Sequence, residues 1–320
     1  MHGTGWRVSG FLFDEIDRAC QESIDEMKQR ITAVDDPHII ATQNPNVPNH
    51  PIYKFLDELI ERDLVNYTHW ILDDNIGMSA KKIQEVKDRY DPTSIYYKRY
   101  ILGERAIPEA QIYTIRDYNI IKEFDPTDYL EYITVCDQGE SISASVFVLA
   151  GLKYDRSKNQ YTLDILKKYY YINNGKNNLA VKMFADTADD YAKFVLECVD
   201  LMGRYPMVSY IDQDIEFYRN CVLAFRNNHL NSNNLKYVIK DEIEQRIKAG
   251  INLLYKGRLR FYDDCTEIIT DFKNAVYDMK EIEAKGKFKR LKAYTDQGHL
   301  DGIDAVEYAF THYKNKLYIN

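Results

Sequence analysis

The sequence predicts an α/β protein, and three observations point there. A short apolar run, Phe11-Leu-Phe13, leads through a helical stretch, Ile16 to Ile31, into a second apolar run, His38 to Thr42, with polar residues after each. Three runs rich in β-branched and aromatic residues then follow one another at 132–137, 143–152 and 161–171, joined by short polar turns. After these, strand patterns at 207–212, 235–239 and 258–262 alternate with helical patterns at 188–202, 214–226, 241–255 and 266–278. In such folds chemistry gathers at the carboxyl ends of strands.

The remaining elements follow from local signals. Ile52 to Asp63 and Ser79 to Tyr90 read as helices, and Asp91-Pro92 ends the second because proline disfavours helix in the residue before it. Gly103 to Tyr129 has weak periodicity and carries Pro108 and Pro126, so it is expected as a connection. Leu300 to Tyr313 is the last helix. No internal repeat or low-complexity tract occurs, and Lys285 to Lys292 is the nearest approach to a charge run.

Composition narrows the class. With 320 residues, 45% hydrophobic and 29% charged, the chain is long enough for two globular domains. No window approaches the ~18 apolar residues of a membrane span, and no charged-then-apolar leader opens the sequence. The five cysteines, Cys20, Cys136, Cys198, Cys221 and Cys265, are scattered without a CxxC pair, which argues against a zinc site or disulfide framework and fits a reducing cytoplasm. A net charge of −8 argues against a general basic coat for nucleic acid but leaves room for a local basic groove. Most of the 27 tyrosines are expected to pack at core edges.

Carboxylates carry the chemistry. Asp301 and Asp304 sit three apart at a helix start, on one face. Like charges there repel, so the pair is either a solvated first turn with ordinary helix-start acids or the seat of a bound cation. Two apolar strands also end in acids, Asp137 (before Gly139) and Asp212. Each has a plain alternative: Asp137 as a turn residue, and Asp212 or Asp214 as a helix cap. Asp186 is a further strand-end acid, read as a cap for a helix near Ala188. Oxygen-only ligands favour Mg²⁺ or Mn²⁺, and two such ions about 3.5–4 Å apart would resolve the repulsion and suit phosphoryl displacement.

Several blocks in order resemble the large terminase subunits of tailed phages, the motors that package DNA. Phe11-Leu-Phe-Asp14-Glu15 resembles a Walker B motif, and Ala41-Thr-Gln-Asn-Pro45 a coupling motif. Trp70-Ile-Leu-Asp-Asp-Asn75, Tyr97-Lys-Arg-Tyr-Ile-Leu-Gly-Glu104 and Ala110-Gln-Ile-Tyr113 resemble the end-of-motor signature. The second half is similar to the family's ribonuclease H-like nuclease. Val135-Cys-Asp137-Gln-Gly139 matches its first acid, and Tyr210-Ile-Asp212 its second, with Lys240 and Ala249-Gly-Ile251 downstream. Ile303-Asp304-Ala-Val-Glu-Tyr308-Ala309 matches its third.

The resemblance implies a C-terminal portion of a P-loop-type ATPase domain over 1–110, a linker over 111–130 and a ribonuclease H-like nuclease domain over 131–320. It implies Asp14 for Mg²⁺-nucleotide and Glu15 as the carboxylate that activates water in ATP hydrolysis, and Asp137, Asp212 and Asp304 as catalytic metal ligands, with Asp301 as a fourth. Two Mg²⁺ or Mn²⁺ ions, concatemeric double-stranded DNA, a portal protein, a terminase small subunit, a homo-oligomeric motor and the host cytoplasm follow as expectations. No GxxxxGK[ST] phosphate loop is present, so ATP turnover is expected only with a complementing Walker A segment. The family's histidine three residues before the last acid is Asp301 here, with His299 nearby. Lys285, Lys287, Lys289, Arg290 and Lys292 form a basic loop that either flanks DNA or is simply solvated. The alternatives are a non-catalytic packaging-assembly module and another ribonuclease H-like nuclease.

Overall fold

The structure, a computed structural model, describes residues 10–16, 26, 29, 35, 38–45, 51–106, 111–139, 143–172, 182–285, 288–291 and 300–317. These divide into two compact units, 10–106 with 280–285 and 111–279 with 288–317.

In the first unit β1 (Gly10–Phe13) and β2 (His38–Ala41) pair in parallel, Phe11 beside Ile39 and Phe13 beside Ala41. The ladder runs one step further: Thr42 N donates to Phe13 O at 2.8 Å and Ile16 N to Thr42 O at 2.9 Å. The chain therefore leaves β1 beside the end of β2. Helix α1 (Pro51–Glu61) buries Ile52 and Tyr53 against Ile16, with Phe11, Phe13 and Leu56 at the margin. Arg105 grips Asp57 through both terminal nitrogens at 2.9 Å and lies 3.8 Å over the Tyr53 ring. Helix α2 (Ala80–Lys87) is capped by the Ser79 side chain and stops short of the expected Tyr90, because Arg89 and Tyr90 bond three residues back into a tightening turn. Helix α3 (Ile95–Tyr100), not read from the sequence, starts at the Ser94 cap and carries Tyr97 to Tyr100, the first half of the Tyr97–Glu104 block. Most of the expected helix Ile16–Ile31 lies outside the described residues.

The second unit is built on one seven-stranded sheet. Its strands are β3 (Ile120–Ile121), β4 (Tyr129–Asp137), β5 (Ala144–Asp155), β6 (Gln160–Ile172), β7 (Ser209–Ile211), β8 (Leu235–Tyr237) and β9 (Leu259–Tyr262), in the order β3-β9-β6-β5-β4-β7-β8. β4, β5 and β6 are antiparallel. β7 and β8 extend the sheet parallel to β4, while β9 and β3 extend it parallel to β6 on the other side. This mixed sheet, with three antiparallel strands at its centre and parallel strands added on both sides, bears out the α/β reading.

Strand alternation sorts the side chains of β4 onto two faces. Tyr132 and Cys136, with Phe147 and Leu149 of β5, pack on α4 (Phe184–Met202) and α5 (Ile215–Asn227) through Tyr191, Val195, Cys221 and Phe225. Ile133, Val135 and Asp137 take the other face. Two helices follow, α6 (Ile243–Tyr255) and α7 (Thr266–Asn274), and then α8 (Met279–Lys285), whose residues 280–285 group with the first unit. Helix α9 (Asp301–His312) lies against β4 and β5 and touches α6 and α7. The short α10 (Lys314–Leu317) ends the described chain.

The differences from the sequence reading have physical causes. The segment expected as a linker over 111–130 is part of the second unit. Ile112 N donates to Ala275 O at 2.9 Å, and the fully buried Asn119 amide donates to Leu254 O and Leu259 O at 2.9 and 3.0 Å. Within that segment β3 spans only Ile120–Ile121, too short for a periodic signal. α4 begins at Phe184, ahead of the expected Ala188, so Asp186 lies in its first turn and accepts from Met183 N at 3.4 Å. α7 ends at Asn274 because Val276 and Tyr277 form bridges to Gln111 and Arg290.

Asp164 of β6 has no solvent exposure; Arg260 of β9 holds its two oxygens at 2.8 and 2.6 Å, and Tyr129 Oη donates at 2.9 Å. Arg260→Leu should cost about 3 kcal/mol or more in urea unfolding, because it leaves a buried charge with a hydroxyl alone. A loss under about 1 kcal/mol would contradict this reading of the pair.

Candidate active site

Register places the first two acids side by side. β4 and β7 run parallel with Cys136 opposite Ile211, so the next residues, Asp137 and Asp212, leave neighbouring strands at the same level. Gly139 makes the exit after β4 possible: a Cβ there would stand 2.4 Å from Ser143 O and 2.5 Å from Ala144 C. Helix α9 brings the other two acids. Asp301 Oδ2 accepts from Ala144 N at 2.5 Å, which pins the start of α9 to the start of β5. The expected alternative, Asp214, caps α5, accepting from Phe217 N at 2.6 Å, while Asp212 pairs with Lys240 at 2.5 Å.

The four carboxylates act on one another electrostatically. Burial pushes the Asp137 carboxyl well above the usual range, and Asp304, Asp301 and Asp212 push it further while Lys240 opposes them. Burial also acts on Asp304, but Arg290 and Arg246 outweigh it and hold that carboxyl low. Tyr308, one turn along α9, has its hydroxyl raised by burial and then by Asp137, Asp304 and Asp212. Lys240 and Arg246 lie 5.2 and 5.6 Å from the centre of its ring.

Side-chain cations therefore already stand among the acids, an answer to the repulsion that the sequence reading did not weigh. Arg246 is the first residue it missed. Arg290, expected in a DNA-flanking basic loop, is turned inward with 7% side-chain exposure, onto Asp304 and Glu307. Glu307 is completely buried and receives Tyr113 Oη at 2.8 Å. Gly250 of the Ala249-Gly-Ile251 motif gives Tyr113 room, since a Cβ there would meet its ring at 3.0 Å. Lys287, Lys292, His299 and the Lys285 side chain lie outside the described residues, and Lys289 is exposed.

Among the described residues no three His, Cys, Asp or Glu side chains form a grouping closed enough to hold a metal ion. The arrangement explains this. Asp212 is drawn to Lys240, Asp304 to two arginines and Asp301 to a backbone N–H. The donor chemistry nevertheless fits a hard divalent cation: four carboxylates, one of them buried and raised by the other three.

The acids of the first unit form a separate group. Thr42 Oγ1 donates to Asp14 Oδ1 at 2.6 Å and accepts from Glu15 N at 3.1 Å. Asn44 Nδ2 donates to Glu15 Oε1 at 3.2 Å. The Thr42-Gln-Asn44 loop after β2 thus fastens both acids after β1, with Glu15 in the left-handed region at φ 55°.

One more buried acid borders the site. Asp271 Oδ2 accepts from Tyr170 Oη at 3.0 Å and from Gly302 N at 3.1 Å; a Cβ on Gly302 would stand 2.6 Å from it. Burial pushes its carboxyl up to about 7, against the lowering effect of those two bonds. From its unfolded value near 3.9 up to about 7, the folded chain keeps a proton that the unfolded chain has released. Stability should therefore fall as pH rises through that window, by up to about 1.4 kcal/mol per pH unit, and level off above it. Asp271→Asn, studied in chelator, should remove that slope. A wild-type slope in the variant would contradict the assignment.

No protein-family profile and no curated protein sequence matches the chain. Solved structures do. The large terminase of a thermophilic bacteriophage matches with a TM-score of 0.70 at 23% identity, over 95% of this chain and 70% of that one. A second crystal form of it matches with a TM-score of 0.70 at 21% identity, over 99% and 70%. The same phage protein in complex with ATP-gamma-S gives 0.69 at 22% identity, over 99% and 72%. The fold of this chain is that of a phage large terminase.

Proposed function

We propose that the chain is a terminase large subunit whose second unit is a metal-dependent endonuclease, cutting concatemeric double-stranded DNA during genome packaging. The observation that carries this reading is the convergence of Asp137, Asp212, Asp301 and Asp304 on one end of the sheet, within a large terminase fold. Asp137, Asp212 and Asp304, with Asp301 beside them, are the residues that would hold two Mg²⁺ or Mn²⁺ ions. Bound there, such ions would activate the attacking water and neutralise the leaving oxygen.

The chain's own residues supply the rest. Buried Asp137 stands at the centre of the carboxylate cluster, and α9 sets Asp301 and Asp304 against it. Lys240, 37% exposed at its side chain and paired with Asp212, is placed to meet a DNA phosphate once that carboxylate turns to a cation. In the first unit, Asp14 and Glu15, held by Thr42 and Asn44, suit the nucleotide chemistry of a motor once a phosphate-binding loop is supplied. Portal protein, small subunit, a homo-oligomeric motor and the host cytoplasm belong to the same proposal. Among the described residues no helix is long and apolar enough to cross a membrane.

One observation favours a non-catalytic assembly role instead: Lys240, Arg246 and Arg290 already pair with Asp212 and Asp304. Plasmid nicking in Mn²⁺ separates the two readings. Asp137→Ala and Asp304→Ala should each lower nicking by about 10³-fold or more with the fold retained by circular dichroism, a loss of about 4 kcal/mol in barrier lowering. Cleavage retained in a folded variant, or absent from the wild type, would count against the nuclease.

A further inference from the structure

Helix α9 carries a third acid that the nuclease reading leaves without a part. Glu307 follows Asp304 by three residues and has no solvent exposure. Its Oε2 accepts from Arg246 Nη1 at 2.7 Å, and its Oε1 accepts from Arg290 Nη1 and from Tyr113 Oη. The same two guanidinium groups reach Asp304, Arg246 Nη1 at 2.9 Å and Arg290 Nη2 at 2.6 Å, and both land on Oδ1. Among the described residues none bonds to Asp304 Oδ2. Arg246 and Arg290 are themselves 11% and 7% exposed at the side chain, so these are buried, directional bonds rather than surface pairs.

Two guanidinium charges thus face two carboxylates on one turn of one helix. With Glu307 absent, both positive charges would bear on Asp304 alone, and a divalent cation would meet net repulsion there. With Glu307 present the charges balance, and Asp304 is tethered through one oxygen only. Asp304 is also the carboxylate that Asp137 feels most strongly.

We infer that Arg246, Arg290 and Glu307 are positioning residues for Asp304, fixing Oδ1 to a buried charge-balanced shelf so that Oδ2 is the atom presented to a divalent cation. The inference rests on the nuclease reading and adds what orients its third acid. Outer residues that orient metal ligands typically change metal affinity about 10–100-fold when altered.

The test is Mn²⁺ binding to the full chain by isothermal titration calorimetry, with no DNA present. Glu307→Gln keeps the shape and removes the balancing charge; Arg246→Lys keeps the charge and removes the guanidinium that bridges Asp304 and Glu307. Each should weaken Mn²⁺ binding about 10-fold or more at a temperature where circular dichroism shows the variant folded. If Glu307→Gln does not fold, Arg246→Lys carries the test, because a cation that only balances or blocks the site would leave binding unchanged when its charge is kept. Unchanged or tighter binding in a folded variant overturns the inference while leaving the nuclease standing. Wild-type chain that binds no Mn²⁺, or binds it equally well as Asp137→Ala, overturns both.

Discussion

Negative charge is concentrated where β4 ends, and the second unit is arranged around that fact. Asp137 is 8% exposed and has Asp212, Asp301 and Asp304 near it. Such a cluster is unfavourable unless positive groups come close. The chain supplies three, Lys240, Arg246 and Arg290, from three different segments. A further acid, Glu307, divides the pull of the two arginines so that Asp304 does not carry it alone. The location of α9, the inward turn of Arg290 and the burial of Tyr113 are the packing consequences of that balance.

The scaffold around the cluster is correspondingly fixed. Asp301 ties α9 to the first residue of β5, and Asp271 receives the Gly302 N–H one residue later, so the start of the helix is held from the sheet and from α7. Two glycines serve close approach rather than flexibility, Gly139 beside Ser143 and Ala144 and Gly302 beside Asp271. Carboxylates held on a strand end and on a pinned helix are placed more reproducibly than carboxylates on a loop.

What could be read from the sequence was what has a short-range signature. Every strand of the second unit except β3 announced itself through an apolar run, and Asp137 and Asp212 through an acid directly after such a run. Asp14 and Glu15 did so in the same way, and the loop that fastens them, Thr42 to Asn44, lay in a quoted motif. Hidden from that reading was whatever depends on contacts far apart in the chain. Arg246 and Glu307 are separated by 61 positions and Tyr113 and Glu307 by 194, and no local pattern marks such partners. Arg290 was misread for the same reason: within a lysine-rich loop it has the look of a solvated cation, and only tertiary packing turns it inward. The 111–130 segment carries Pro126 and a strand of only Ile120–Ile121, so its place in the second unit is likewise visible only through Asn119 and Ile112.

Whether the acids of α9 and the sheet receive a metal is decided by growing crystals of the full chain with Mn²⁺ and locating manganese by its anomalous scattering. A peak ligated by Asp137 together with Asp212 and Asp304 Oδ2, with Lys240 drawn off Asp212 and both arginines still on Asp304 Oδ1, is the predicted result. Manganese absent from Asp137 at saturating concentration, with Lys240 still on Asp212, would contradict it and leave the carboxylates as a purely structural cluster.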